Sequence, residues 1–118
     1  MAGSRFSTDV LDRAIERRRR AAEQFRTAMR ARLVQALEAA PVPVEQAIIF
    51  GSIDRPGRFD ANSDIDVAVG ELPARDYFTL KGRLELALCR EVDLVELDRC
   101  HFAASIRRTG TTWTRRAT

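Results

Sequence analysis

The feature that most constrains the fold is one long apolar stripe, which predicts a helix over residues 8–40. Its members recur at steps of three, four and seven and so share one helical face: Leu11, Ile15, Ala22, Phe25, Met29, Leu33 and Leu37. Pro41 and Pro43 end the helix, because proline donates no backbone N–H and disfavours helix before it. The residues that remain are too few to cover the whole stripe, so we expect part of it to meet another chain.

Beyond the prolines, short β-prone runs alternate with helical patterns. Three apolar runs predict strands, at residues 47–50, 65–69 and 92–97. Pro73 opens a helix over 74–90, and Asp98 caps a further helix that runs to about Arg108. This order predicts an α/β (α+β) fold, in which helices pack on a small mixed β-sheet.

Length and composition are typical of a single globular domain. The chain has 118 residues, of which 45% are hydrophobic and 31% are charged. No apolar run approaches the roughly 20 residues that cross a bilayer, and the N-terminus lacks the apolar core of a secretory signal. We therefore expect a cytoplasmic protein that does not contact a membrane.

Charge is distributed unevenly along the chain. Residues 1–40 carry nine arginines against five acids, whereas residues 41–100 carry seven basic residues against twelve acids. The last eighteen residues carry four arginines and no acid. An acidic middle in a basic protein indicates a site for cations, although an acidic solvated surface is the default alternative.

Two carboxylates on one strand are the first candidate site residues. Asp64 and Asp66 are two residues apart, so they project from the same face of the predicted strand. Anions so close repel one another unless a cation lies between them, and magnesium prefers oxygen ligands. Asp93, on the next predicted strand, would complete a site for two ions. A lone Asp-x-Asp more often marks a turn, and Asp93 alone would fit the solvent face of an edge strand.

Gly51-Ser52, directly after the first predicted strand, is the second candidate. Glycine lets the backbone approach a phosphate closely, and the Ser52 hydroxyl adds a hydrogen-bond donor. Arg55 and Arg58 lie in the same loop and would neutralise phosphate charge. An isolated Gly-Ser is more often a plain turn, and both arginines also fit solvated loop positions. Position between a strand and the paired carboxylates is what favours a phosphate seat.

Three separated pieces together resemble the DNA polymerase beta superfamily of nucleotidyltransferases, and most closely its minimal, MNT-type members: Phe50-Gly51-Ser52 with Arg55 and Gly57, Ser63-Asp64-Ile65-Asp66-Val67, and Val92-Asp93-Leu94-Val95. The resemblance covers about residues 44–97. It implies phosphate binding by Gly51 and Ser52, and metal ligation by Asp64, Asp66 and Asp93. Pro56 separates Arg55 from Gly57 where the family has the two adjacent, which leaves open whether Arg55 or Arg58 contacts phosphate.

The resemblance also implies an activity and a partner. MNT-type proteins resemble antitoxins that use ATP and two magnesium ions to transfer AMP to a tyrosine of a HEPN-type toxin. We expect this chain to act in that way, with the N-terminal helix joining the toxin in a hetero-oligomer. Two alternatives remain: a non-catalytic antitoxin that neutralises its partner by contact, and nucleotidyl transfer to a small molecule or an RNA end.

The remaining features add less to the functional prediction. Arg17–Arg20 is the densest charge run, but four consecutive arginines point all around a helix and form no single basic face. We therefore expect a solvated helix or an acidic partner there rather than nucleic acid. The resulting organisation is an N-terminal helix (6–40), a catalytic core (44–97), and a C-terminal helix with a basic tail (98–118).

Overall fold

A computed structural model describes residues 2–116 of the chain, with side chains from residue 8 onward. The long helix is α1, Ala2–Ala39, and the strands and helices that follow are β1 (Gln46–Phe50), β2 (Ile65–Val69), α2 (Ala74–Leu88), β3 (Val92–Glu96), α3 (Ala103–Thr109) and β4 (Thr111–Thr114). Short 3-10 turns follow β1 at Gly51–Asp54 and β3 at Leu97–Arg99. Helices and strands therefore follow the predicted order, with one strand added at the end.

The four strands form one mixed sheet in the order β3-β2-β1-β4. β1 pairs antiparallel with both β2 and β4, whereas β2 and β3 run parallel. The predicted α/β (α+β) fold, a small mixed sheet with helices packed on it, is confirmed.

Alternation along the strands divides the side chains between two faces of the sheet. One face packs against α1 and α2 to form the main core. The largest fully buried side chains of this core include Ile49, Ile65 and Val67 from the strands and Leu80 and Leu84 from α2. The other face carries a smaller cluster of Ile48, Ala68, Leu97 and Ile106, which α3 covers. Since Asp66 lies between buried Ile65 and Val67 on β2, its side chain faces away from the main core.

The C-terminal segment departs from the prediction. The helix does not begin at Asp98, because residues 97–99 form a 3-10 turn and α3 starts only at Ala103, without a side-chain cap. Part of the predicted basic tail is the strand β4, which pairs with β1 and buries Trp113 in the main core. Its four residues form a strand because the free edge of β1 supplies hydrogen-bond partners, which no local pattern revealed.

The C-terminal half of α1 packs in the core, whereas its N-terminal half projects from the domain. Met29, Leu33 and Leu37 are buried, whereas Leu11 and Ile15 on the same stripe are exposed. The structure measures 66 × 27 × 26 Å, so the N-terminal half of the helix stands away from the sheet. Within residues 2–116, no helix combines the length and apolar content that crossing a bilayer requires.

Substitution of two leucines of this stripe tests which part of α1 belongs to the core and which part projects. Leu33 is 0% exposed and Leu11 is 60% exposed. We expect Leu33→Ala to lower the free energy of unfolding by about 2–5 kcal/mol, because it leaves a cavity in the core. Leu11→Ala, the matched control, should change it by less than about 0.5 kcal/mol in the isolated chain. Urea unfolding followed by circular dichroism measures both, and equal losses would contradict the assignment.

Candidate active site

Two acidic side chains lie side by side at the start of the parallel strand pair. Asp66 on β2 is the register partner of Asp93 on β3. In parallel strands such partners project from the same face, here the face opposite the main core. Asp66 is half-buried and Asp93 is exposed. Neighbouring strands thus bring together two carboxylates that are far apart in sequence.

Gly51 lies against Asp66 on the side of β2 opposite Asp93. Phe50, the last residue of β1, is the register partner of Asp66, and the chain turns at Gly51 with a φ of +76°. A Cβ atom on Gly51 would overlap the Oδ2 atom of Asp66. The position therefore requires glycine twice over, once for its left-handed backbone and once for the space that the carboxylate fills. The backbone of the Gly-Ser turn consequently lies directly against the carboxylate.

The surroundings of Asp66 raise the pKa of its carboxyl group. The pKa of Asp66 is raised to about 6, mainly by burial and then by the negative charges of Asp93 and Asp64 and a hydrogen bond with Asp93. No lysine or arginine among the described side chains forms a salt bridge with Asp64, Asp66 or Asp93. A cluster of like charges without a cationic side chain has the donor set and the charge that a hard divalent cation requires.

Asp64 is the least constrained of the three carboxylates. It lies in the loop immediately before β2 and its side chain is exposed. Its charge acts on Asp66, so the two are close. Between residues 2 and 116, no three His, Cys, Asp or Glu side chains are already arranged to hold a metal ion. The chemistry of the donor set fits magnesium, since all three side chains offer carboxylate oxygens.

The turn that follows Gly51 is held by contacts with the main core and with α1. Ser52 is half-buried, and Ile53, at 0% exposed, inserts into the main core. Arg26 of α1 donates a hydrogen bond from Nη1 to the carbonyl oxygen of Ile53 at 2.8 Å. Arg30, also on α1, forms an ion pair of 3.3 Å with Asp54. Neither arginine was predictable from the sequence, since the helical stripe indicates which face is apolar but not what its flanking charges contact.

The two loop arginines extend from the same segment. Arg55 and Arg58 are exposed, and in the described part of the chain neither guanidinium has a hydrogen-bond or ion-pair partner. Their backbones continue the turn, with the Arg55 N–H donating to Ser52 and the Arg58 N–H donating to Arg55. Both cations are therefore available to an anionic ligand.

Comparison with known proteins defines the class. Residues 32–116 match the family described as "Polymerase beta, Nucleotidyltransferase". The match includes all four strands and every candidate site residue, and it spans well over half of the chain. The chain therefore belongs to the polymerase beta nucleotidyltransferase family, as the sequence resemblance predicted. No curated protein matches the chain.

Two solved structures share the fold. A structure of a toxin–antitoxin with AMP-PNP is 26% identical, with 73% of each chain covered and a TM-score of 0.57. A structure of the toxin–antitoxin MntA-HepT is 23% identical, with 75% of this chain and 72% of that chain covered, and a TM-score of 0.53. The second likeness is one of fold alone. The first agrees with the expected resemblance to toxin–antitoxin proteins.

Two glycines with the same backbone conformation test the contact between Gly51 and Asp66. Gly51 and Gly57 have φ values of +76° and +79°, but a Cβ atom on Gly57 would meet nothing within 4 Å. Each change to alanine should destabilise the fold by about 1–2 kcal/mol through backbone strain. Only Gly51→Ala should add a further loss, because it displaces the Asp66 carboxylate. Urea unfolding compares the two, and equal destabilisation would contradict the predicted clash.

The raised pKa of Asp66 predicts that, without metal, the free energy of unfolding depends on pH. Because its pKa is about 6 in the folded protein against 3.8 ordinarily, ionisation opposes folding. The favourable contribution is complete below the ordinary value and is lost as the pH rises through the folded value. We expect Asp66→Asn to be more stable than wild type by about 1 kcal/mol near pH 8, after allowance for solvent screening, and by much less near pH 4.5. Urea unfolding in EDTA measures both, and a gain independent of pH would contradict the electrostatic cause.

Proposed function

We propose that this chain is a magnesium-dependent nucleotidyltransferase that transfers AMP from ATP to a hydroxyl group of a partner protein. The observation that carries the proposal is the placement of Asp66, in register with Asp93 on one side and against Gly51 on the other. Carboxylates and a phosphate-binding turn must adjoin for a metal to bridge protein and triphosphate. Membership of the nucleotidyltransferase family supports the same reaction class.

Asp64, Asp66 and Asp93 would hold two magnesium ions. When bound, the ions would lower the pKa of the attacking hydroxyl and neutralise the triphosphate and the departing pyrophosphate. The acceptor oxygen forms a bond to the α-phosphorus, the bond from that phosphorus to the pyrophosphate oxygen breaks and pyrophosphate leaves, and the hydroxyl proton passes to solvent water. The carboxylates serve as ligands, so no side chain of this chain has to act as the nucleophile.

The Gly51-Ser52 turn would receive the triphosphate. Gly51 leaves no side chain between its backbone and an approaching phosphate, and Ser52 offers a hydroxyl donor. Arg55 and Arg58, exposed on the same loop, supply positive charge on a site whose carboxylates are otherwise uncompensated. The toxin–antitoxin structure that contains AMP-PNP, an analogue of ATP, supports ATP as the donor.

The acceptor we propose is a tyrosine of a HEPN-type toxin, which the chain would silence as an antitoxin in the cytoplasm. The exposed apolar residues of α1, including Leu11 and Ile15, supply a surface for a partner chain. Similarity to toxin–antitoxin structures supports a toxin as that partner. Neutralisation by contact alone is the second candidate, favoured by the exposed apolar residues of α1, which would bind a partner with or without transfer. Transfer to a small molecule or an RNA end is the third.

The double substitution Asp64→Asn and Asp66→Asn tests the chemistry. It removes two carboxylate ligands while preserving side-chain size, so transfer from labelled ATP should be lost and the fold retained. Incubation with the purified partner, ATP and magnesium should raise the partner's mass by one or more adenylyl units with wild type only. Asp76→Asn is the matched control, because Asp76 lies on α2, against the opposite face of the sheet.

The outcomes separate the three candidates. Transfer that persists in the double variant would contradict the metal-dependent mechanism. Neutralisation of the partner without any mass increase, by wild type and double variant alike, would favour contact alone. Label that appears on RNA or on a small molecule, and not on the protein, would identify a different acceptor.

A further inference from the structure

Arg90 holds the loop that leads into the acidic site. Its Nη1 atom donates to the carbonyl oxygen of Ser63 at 2.8 Å and to that of Asp60 at 3.3 Å. Its Nη2 atom donates to the carbonyl oxygen of Ala61 at 3.2 Å. Three carbonyl groups of one short loop therefore converge on a single guanidinium, whose planar set of donors suits such an arrangement.

The location of Arg90 follows from the parallel pairing of β2 and β3. Ile65 and Val92 are register partners and begin the two strands. Ser63 and Arg90 each lie two residues before these starts, so their hydrogen bond joins the entrances of both strands. Asp64 comes directly after Ser63, and Asp93 is the second residue of β3. Arg90 thus ties the backbone that carries one carboxylate to the backbone that carries another.

Two aromatic rings fix the guanidinium in place. Its central carbon lies 5.4 Å from the ring centroid of Phe25 and 5.2 Å from that of Phe59. The two rings stack on each other with centroids 5.6 Å apart. Phe59 is buried and Phe25 belongs to α1, so the guanidinium is braced by the main helix as well as by the loop. Such contacts restrict the donors of Arg90 to one orientation.

The loop that Arg90 grips is itself compact. The side chain of Asp60 accepts hydrogen bonds from the backbone N–H of Asn62 at 2.8 Å and from the Ser63 hydroxyl at 3.2 Å. The backbone N–H of Asp60 donates to the same hydroxyl at 2.9 Å. Arg90 therefore anchors a preformed turn rather than a loose segment, and the turn ends at Asp64.

We propose that Arg90 is a positioning residue, which sets the backbone of Asp64 relative to Asp93 so that both carboxylates can bind the same metal site. The inference rests on the proposed function, since it assigns Arg90 a role in metal binding. Asp64 is exposed and lies outside β2, so its position depends on the residues that precede it. Groups that orient metal ligands affect affinity although they do not touch the ion.

The chain supplies a matched control for the test. Arg115 also donates to three carbonyl oxygens, those of Val44, Glu38 and Leu37, and lies over the ring of Trp113 at 5.6 Å. It braces the end of α1 and β4, away from the acidic site. Arg90→Gln and Arg115→Gln remove equivalent sets of contacts, and only the first should affect the metal. Arg90→Lys keeps the charge but loses the planar fork.

Binding of manganese(II) without ATP, followed by electron paramagnetic resonance, is the primary measurement. We expect Arg90→Gln to weaken manganese binding about tenfold, Arg90→Lys to have a smaller effect, and Arg115→Gln to have none. In the transfer reaction, Arg90→Gln should raise the magnesium concentration for half-maximal rate, while saturating magnesium restores most of the rate. Thermal unfolding should show similar losses of stability for both glutamine variants.

Each result counts for or against the positioning role. Unchanged manganese binding in folded Arg90→Gln, or in folded Arg90→Lys if the glutamine variant does not fold, would overturn it. Equal weakening by Arg90→Gln and Arg115→Gln would also overturn it, since the effect would then be global. If Asp64→Asn binds manganese as wild type does, the proposed function fails and the positioning role fails with it. If Asp64→Asn loses binding and Arg90→Gln does not, only the positioning role is wrong.

Discussion

Repulsion between neighbouring carboxylates is the constraint around which the site is arranged. Asp66 has Asp93 beside it in the sheet and Gly51 against its Oδ2 atom, and no described cationic side chain forms an ion pair with it. Burial raises the pKa of Asp66, and the negative charges of Asp93 and Asp64 raise it in the same direction. Folding stability is spent on holding anions together, which is common at functional sites and is relieved when a cation binds. The flanking turn, the strand register and the loop before β2 all serve this placement.

α1 connects the site to the surface that projects from the domain. Between Glu23 and Arg30, one stretch of the helix contacts the segment after β1 at several points: Glu23 accepts from the Gly57 N–H, Arg26 donates to Ile53, and Arg30 pairs with Asp54. Phe25 meets Phe59 and Arg90 in the same stretch. The exposed stripe residues Leu11 and Ile15 lie N-terminal to this stretch. That stretch of α1 therefore links the projecting part of the helix to the turn after β1.

Most of the strands and the first two helices were predictable because their signals are local. The stripe of α1, the prolines after it, the apolar run of β2 and Pro73 before α2 each depend on residues close in sequence. β4 and the start of α3 were not predictable in this way. Thr111–Thr114 is a strand because β1 offers an open edge, and Asp98 caps no helix because the chain forms a 3-10 turn there first. Both outcomes depend on contacts with distant residues.

The sequence by itself determined the candidate ligands and the reaction class. Together, Asp64 and Asp66, the Gly51-Ser52 pair after an apolar run and Asp93 in a later run resemble the polymerase beta family, and that resemblance indicated them. Only the tertiary structure decided that Asp93 lies beside Asp66, that Gly51 abuts the carboxylate, and that Arg90 grips the loop before Asp64. The reason is physical: alternation along a strand sets which way a side chain faces, whereas pairing between strands sets which side chains meet.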